Sequence, residues 1–181
     1  MKVKADFAAL ARSVGKPHEA RLKQLGADPA AVNRYQIVCL PENFWEAKDG
    51  DELLEAAETA DLAKLLKEAG IQCAMPHEVG FETPVVVRQS ADLWCGLIWI
   101  LDKLAAPPFV AVLSGWLTAK YITTKGDKGE RCPKPPTVHV TIGVRKYGQL
   151  STFQYDGDAE SLVQLLRGLT EPGSDSPERA D

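Results

Sequence analysis

The most apolar stretch of the chain, residues 93–117, limits what the chain can fold into. It reads LWCGLIWILDKLAAPPFVAVLSGWL and contains three of the four tryptophans. Asp102 and Lys103 interrupt it, and Pro107 and Pro108 then break the backbone pattern. A helix that crosses a bilayer needs about 20 consecutive apolar residues, so neither half is long enough to span one. The stretch therefore predicts two short apolar helices.

Trp99 is the first candidate contact residue in this stretch. On a helical wheel it lies among polar positions, with Asp102 and Lys103 beside it. An indole on a polar stripe either packs on a neighbouring element or binds a partner. We therefore take Trp99 as a candidate interface residue.

The second half of the stretch has small residues at helical spacing. Ala111, Gly115 and Ala119 are four residues apart, and such a stripe lets another backbone approach closely. Large apolar residues, among them Trp116, cover the other side, so the predicted helix is apolar all round. Its burial is either intramolecular or part of an interface with another chain, and the sequence leaves both open.

The remaining segments predict an α+β fold, or mixed α/β, with helices packed on a small sheet. Residues 35–75 are typical of a β-α-β unit, in which RYQIVCL and IQCAM flank an amphipathic helix over residues 53–69. The pattern leaves open an interruption of this helix near Thr59. A short helix is expected at residues 18–25, and a third strand at 84–89 is expected to join the sheet. VHVTIGVRK and QLSTFQY alternate as a β-hairpin, and DGDAESLVQLLRGL predicts a capped helix after it. The hairpin either extends the sheet or forms its own layer.

The length of 181 residues suits one domain. We expect a single compact unit over residues 1–170, which begins with an amphipathic helix at 3–14. It divides naturally into a helical and β-α-β part at 1–80 and a helix-hairpin-helix part at 82–169. Residues 171–181 contain no large apolar side chain and are expected to be a disordered tail.

Net charge and cysteine content limit which partners and which cellular compartment the sequence favours. The formal net charge is −4, which argues against a nucleic-acid partner because such partners favour a basic face. Three of the four cysteines lie in apolar or strand-like settings, where a reduced thiol packs as a small hydrophobe. The start MKVKADFAAL has no apolar segment typical of a signal peptide. Together these features favour the cytoplasm.

No pattern of residues indicates a metal, a cofactor or a set of catalytic groups. Cys73 and His77 lack the second pair of ligands that a structural zinc site needs, and KGDKGE lacks the strand and helix of a phosphate-binding loop. The sequence therefore predicts no metal, no cofactor and no catalytic residue. The enzymatic alternative is a small hydrolase or transferase that uses Cys95, or an acid from residues 42–51, beside His77 or His139.

Two adjacent aromatic residues, Phe44 and Trp45, lie in the charged loop ENFWEAKDGD. In such a loop they either anchor the backbone to the core or contact a partner. Both are taken as candidate interface residues.

The order of elements in the C-terminal half is an apolar helix, a short basic and proline-rich linker, a hairpin and a helix. This layout resembles the effector-associated constant component modules of bacterial conflict and signalling systems, over residues 82–169. The entry to the terminal helix in that family is similar to D-G-x-x-E, which Asp156, Gly157 and Glu160 match. The resemblance implies a non-enzymatic adaptor and carries over no catalytic residue.

These observations favour a non-enzymatic interaction or adaptor module that serves a bacterial defence or signalling effector. The expected partner is a protein or a second copy of the chain. Peripheral membrane association through residues 93–117 is a further, less favoured alternative. The candidate interface residues are Phe44, Trp45, Trp99, Ala111, Gly115, Trp116 and Ala119.

Overall fold

The computed structural model describes residues 17–125 and 136–170. The helix predicted at 3–14 and the tail predicted at 171–181 lie outside the described residues, as does Cys132. The predictions for these segments stay predictions.

The strands of the described part form one mixed sheet and one short ladder. They are β1 Ile37–Leu40, β2 Glu55–Ala56, β3 Cys73–Ala74, β4 Val85–Val86, β5 Leu93–Ile100, β6 Val138–Lys146 and β7 Gln149–Gly157. The main sheet has the order β3-β1-β5-β6-β7, and β2 pairs with β4 separately. β1 runs parallel to β3 and β5 parallel to β6, whereas β1 with β5 and β6 with β7 are antiparallel. The hairpin therefore extends the sheet.

Helices accompany this sheet, and the predicted α+β fold class is confirmed. In the described ranges they are α1 Pro17–Gln24, α2 Pro29–Val32, α3 Thr59–Glu68, α4 Ala106–Lys125 and α5 Ala159–Thr170. α3 lies between the parallel strands β1 and β3, which confirms the predicted β-α-β unit. The main sheet takes strands from both the 1–80 part and the 82–169 part of the chain.

The first predicted apolar helix is wrong, because residues 93–100 form the strand β5. β5 lies between β1 and β6, and most of its side chains are buried. A strand buried on both faces reads as a continuous apolar run, which fits a helical wheel equally well. Trp99 therefore does not lie on a polar stripe. It lies in the core with Leu97 and Leu101.

The second predicted apolar helix is formed as α4, with Pro107 and Pro108 in its first turn. Proline is tolerated there because the first amides of a helix have no acceptor within the helix. Lys103–Ala105 form a short 3₁₀ turn ahead of it, and the Asp102 carboxylate accepts from the Leu104 amide at 2.9 Å. The Asp102-Lys103 interruption thus marks the change from strand to helix.

Two other elements differ from their predictions. The strand expected at 84–89 is only Val85–Val86, and it pairs with β2 instead of joining β1 and β3. The helix expected from residue 53 begins at Thr59, because Glu55–Ala56 are extended to pair with β4. Ladders of two residues are too short to give a periodic pattern.

The main sheet is buried on both faces at β1 and β5. Along β1, Ile37 and Cys39 face a core under α3, α4 and α5, whereas Val38 and Leu40 face a second core under α1, α2 and the loops that follow β1 and β3. Each fully buried large apolar side chain contributes roughly 1.5–3 kcal/mol. The two cores therefore hold the central strands from opposite sides.

None of the helices in the described ranges is both long and apolar enough to cross a membrane.

Candidate binding cleft on the polar face of the sheet

Within the described ranges the second core covers only part of this face of the sheet, and a cleft of about 200 Å³ opens beside it. Its floor is formed by β5, β6 and β7, and its wall by the loop that follows β1. The lining residues are Glu42, Asn43, Glu46, Trp94, Gly96, His139, Val140, Thr141, Gln154 and Asp156. We call this site the β5–β7 cleft.

A bulge in β5 places Trp94 in the cleft. The register with β6 shifts between Trp94 and Gly96, so that Cys95 is buried on the helix-covered side while its neighbours line the cleft. Gly96 has φ +71°, and a Cβ there would lie 3.3 Å from Ala56 Cβ. Only glycine adopts this conformation without strain at so tight a site.

The indole of Trp94 is the centre of a stack of side chains. The His139 ring lies against it with centroids 3.9 Å apart and an interplanar angle of 15°. The Arg88 guanidinium carbon is 4.0 Å from the Trp94 ring centroid, a cation–π contact. The Trp94 amide donates to the Glu58 carboxylate at 2.9 Å, which fixes the strand backbone beneath the stack.

Carboxylates contact both outer members of this stack, Arg88 and His139. Arg88 donates to Glu42 through both terminal nitrogens, and the Nη1–Oε2 distance is 3.0 Å. These hydrogen bonds raise the pKa of the Arg88 guanidinium. His139 Nδ1 lies 2.6 Å from Asp156 Oδ1, and His139 Nε2 lies 3.9 Å from Asp92 Oδ2. The His139 ring is therefore oriented by two carboxylates on opposite sides.

The β5–β7 cleft carries an excess of negative charge. Glu42 is neutralised by Arg88, and Asp156 contacts His139 and the Gln154 amide, at 3.2 Å for the latter. Glu46 is exposed, and its carboxylate has no ionic or hydrogen-bonded partner among the described residues. An added cationic group would meet unbalanced acceptor oxygens there.

Three of the predicted interface residues meet in one aromatic cluster beside the cleft. Phe44 lies 5.4 Å from Trp99 and 4.8 Å from Trp45 between ring centroids, and His18 lies 5.2 Å from Trp99. Phe44 is fully buried and Trp99 is 2% exposed, whereas Trp45 is 39% exposed. The cluster anchors the acidic loop to the core, and Trp45 is its accessible member.

The other predicted interface residues lie on α4, on the opposite side of the sheet. Trp116 is buried in the core between α4 and the sheet. Ala111, Gly115 and Ala119 form an exposed stripe on the helix. The structure therefore separates these four residues from the aromatic cluster.

Cys95 is not placed for catalysis. It is 1% exposed within the helix-covered core, and burial raises the pKa of its thiol to about 12. A nucleophilic cysteine needs a lowered pKa and access to solvent. The alternative that uses an acid from residues 42–51 does bring its groups together, because Glu42 and Glu46 line the same cleft as His139.

The described residues contain no cluster of three or more His, Cys, Asp or Glu side chains close enough to hold a metal ion. In the cleft the reason is geometric. Asp92 and Asp156 approach His139 at different ring nitrogens and do not converge on one point.

Sequence reasoning missed Arg88, Trp94 and Asp156 as parts of one site. The alternation of β6 and β7 contains a usable signal. Because Val138, Val140 and Tyr155 face the core, His139 and Asp156 must share the polar face of the hairpin. Arg88 lies in a loop, and no local pattern indicates its contact with Trp94.

No protein-family model, no curated protein and no solved structure matches the chain. A functional proposal therefore rests on the geometry of the cleft.

Proposed function

We propose that the protein is a non-enzymatic interaction module that holds a basic side chain of a partner protein in the β5–β7 cleft. The observation that carries the proposal is the excess of carboxylates around a cleft floored by an ordered Trp94–His139 stack. The proposal keeps the adaptor role predicted from the sequence and gives it a binding site.

Charge is the first support. Glu46 and Asp156 lie on two sides of the cleft, and Arg88 is already engaged by Glu42. A lysine or arginine of a partner would gain ion pairs with these exposed carboxylates, each worth about 0.2–1 kcal/mol. An acidic segment would be repelled.

Shape is the second support. A cleft of about 200 Å³ suits one long side chain and not a folded surface. The edges of the Trp94 and His139 rings offer an apolar wall for the methylene stem of lysine or arginine, whose charged end then reaches the carboxylates. The ion pair between Arg88 and Glu42 keeps the ring of Trp94 in place.

The proposal includes the role of an adaptor for an effector protein of a bacterial defence or signalling system. It is supported by the layout of α4, the β6–β7 hairpin and α5, which agrees with the layout on which the resemblance rests. The exposed ring of Trp45, at the edge of the same loop as Glu46, offers a second contact for such a partner.

Selection from a random peptide library tests the proposal without knowledge of the partner. We expect peptides bound by the protein to be enriched in lysine or arginine at one position, and Glu46→Lys to remove the enrichment. Their affinity should fall as salt is added, since exposed ion pairs are screened. Glu68→Lys, on the exposed face of α3, is the matched control and should leave selection unchanged.

The proposal is wrong if peptides are selected without basic residues, or if Glu46→Lys and Glu68→Lys behave alike. A change confined to Trp45→Ala would place the contact on the aromatic cluster and not in the cleft.

A second candidate is a hydrolase, favoured by the contact of Asp156 with His139 Nδ1 at 2.6 Å. Such a contact orients an imidazole so that its other nitrogen can accept a proton from water. This candidate predicts turnover of simple activated esters that His139→Gln abolishes. The interaction module predicts that the purified protein has no such turnover.

A further inference from the structure

β7 is a long strand at the edge of the main sheet. It has nine residues, and among the described residues β6 is the only strand that pairs with it. The opposite edge, β3, has only two residues. An edge strand presents a row of backbone groups that can pair with another strand.

The turn between β6 and β7 decides which backbone groups point outward. Tyr147 and Gly148 have φ of 51° and 76°, the geometry of a two-residue type I′ turn. In such a turn Lys146 and Gln149, which are register partners, exchange hydrogen bonds. The N–H and C=O groups that alternate along β7 and point away from β6 are therefore those of Leu150, Thr152, Gln154 and Asp156.

This edge lacks the features that usually prevent pairing. The segment QLSTFQYDG contains no proline and no lysine, and Asp156 is its only charged residue. Its register with β6 is continuous from Gln149 to Gly157, with no bulge to twist the edge away. α5 packs on the helix-covered face through Leu162 and Leu166, and no second strand of the described residues pairs with the outer edge of β7.

We propose that β7 pairs antiparallel with β7 of a second copy, with a two-fold axis at Phe153. The two main sheets then become one continuous sheet. In this register Thr152 lies opposite Gln154 of the other copy, and Leu150 opposite Asp156, so every outward backbone group of both strands is hydrogen-bonded. A two-fold interface of this kind closes on itself and forms a dimer.

The side chains of β7 fit a second copy of the same strand. No like charges meet in this register, because the lone Asp156 faces Leu150. The two Phe153 rings meet at the axis on the helix-covered face, and aromatic cross-strand pairs contribute about 0.2–1 kcal/mol.

The dimer has a consequence for the β5–β7 cleft. A two-fold axis perpendicular to the sheet keeps both polar faces on the same side, so the two clefts open in the same direction. This consequence rests on the proposed function, whereas the dimer itself does not. A partner with two basic segments would bind both clefts, with a gain in avidity of about 10²–10⁴.

Paired charge variants test the register. In Thr152→Lys/Gln154→Lys, lysines face lysines across the axis, and we expect a monomer by sedimentation or light scattering. In Thr152→Lys/Gln154→Glu, each lysine faces a glutamate, and we expect the dimer to persist. Circular dichroism establishes that both variants are folded.

A cross-link gives an independent readout. Residue 153 forms a non-hydrogen-bonded pair with its own copy, where Cα atoms are about 4.5 Å apart, within the range of a disulfide. In a Cys132→Ser background, Phe153→Cys should form a covalent dimer under mild oxidation, and Tyr147→Cys at the turn should not. A monomeric native protein, or two lysine-bearing variants with the same mass, overturns the proposal.

The proposed function of the cleft and the proposed dimer through β7 can be disproved independently of each other. Loss of basic-peptide binding in Glu46→Lys with an unchanged dimer concerns the cleft alone. A native protein that is monomeric and still selects basic peptides retains the proposed function and removes the inference on β7.

Discussion

The indole of Trp99 lies across Gly143 on the neighbouring strand. The two residues are register partners in β5 and β6, and a Cβ added at Gly143 would lie 2.8 Å from Trp99 Cδ1. The absence of a side chain at residue 143 thus makes room for the largest buried side chain of the second core. The aromatic cluster beside the cleft depends on this space.

Gly143→Ala should therefore destabilise the protein. The added methyl group forces Trp99 away from Phe44 and His18, and overpacking of this kind costs about 1–3 kcal/mol. Urea unfolding measures the loss. Gly115→Ala on α4 is the control, because a Cβ there meets no atom within 4 Å and alanine favours a helix by roughly 1 kcal/mol. Equal effects of the two substitutions would contradict the packing argument.

The ion pair of Arg88 with Glu42 should stabilise the cleft measurably. Arg88→Met leaves a partly buried carboxylate without its partner, and we expect a loss of about 1–3 kcal/mol in the free energy of unfolding. Adding Glu42→Gln should recover part of this loss. A double-mutant cycle gives the coupling energy, and a coupling of zero would show that the pair is only a surface contact.

The described cysteines should be inert in the folded protein. Cys39, Cys73 and Cys95 are buried, and the pKa of Cys39 is raised well above its usual value by its hydrogen bond with Cys73 and by burial. In a Cys132→Ser variant, iodoacetamide at about pH 8 should label none of them until urea unfolds the chain. Rapid labelling of Cys95 in the native state would revive the thiol alternative.

Asp158 should stabilise α5 in a pH-dependent way. Its carboxylate accepts hydrogen bonds from the backbone amide and the hydroxyl of Ser161, each at 2.8 Å. These hydrogen bonds, and above all the one from the Ser161 backbone amide, lower the pKa of Asp158. A lowered folded-state pKa gives stability above the unfolded pKa of about 3.9 that is lost as pH falls through the folded value. Asp158→Ala should therefore cost about 1 kcal/mol at neutral pH.

The same comparison at low pH is the check on this mechanism. Thermal unfolding should show a smaller difference between Asp158→Ala and the native protein once Asp158 is protonated. A difference that is constant with pH would assign the effect to helix propensity instead of the carboxylate.

The sequence predicted the elements that have one buried and one polar face. The β6–β7 hairpin and α5 show clean periods because only one side of each meets the core. The strand β5 has no alternation of apolar and polar residues, because successive side chains such as Leu97 and Ile98 are buried in different cores. The apolar run of β5 therefore predicts a helix, and this wrong prediction places Trp99 in polar surroundings instead of in the core.

The β5–β7 cleft was less predictable than the fold. Trp94 and His139 are neighbours because β5 and β6 run parallel, with α4 between them in the chain. The face of the sheet on which Trp94 lies depends on the bulge at Gly96. The positive φ of Gly96 cannot be recognised from the pattern of apolar and polar residues. Glu42 and Glu46 were recognised as an acidic loop, but their position opposite His139 required the sheet order. The roles of the seven predicted interface residues stay predictions.

The position of β1 in the sheet has a consequence for how the chain is made. β1 pairs with β3 on one side, but the strand on its other side, β5, is synthesised only after α3 and β3. On the ribosome the β1–α3–β3 unit therefore presents the open edge of Ile37–Leu40, an apolar segment of the kind that aggregates. We therefore expect substitutions in β5 to reduce the yield of folded protein more than their effect on stability alone accounts for.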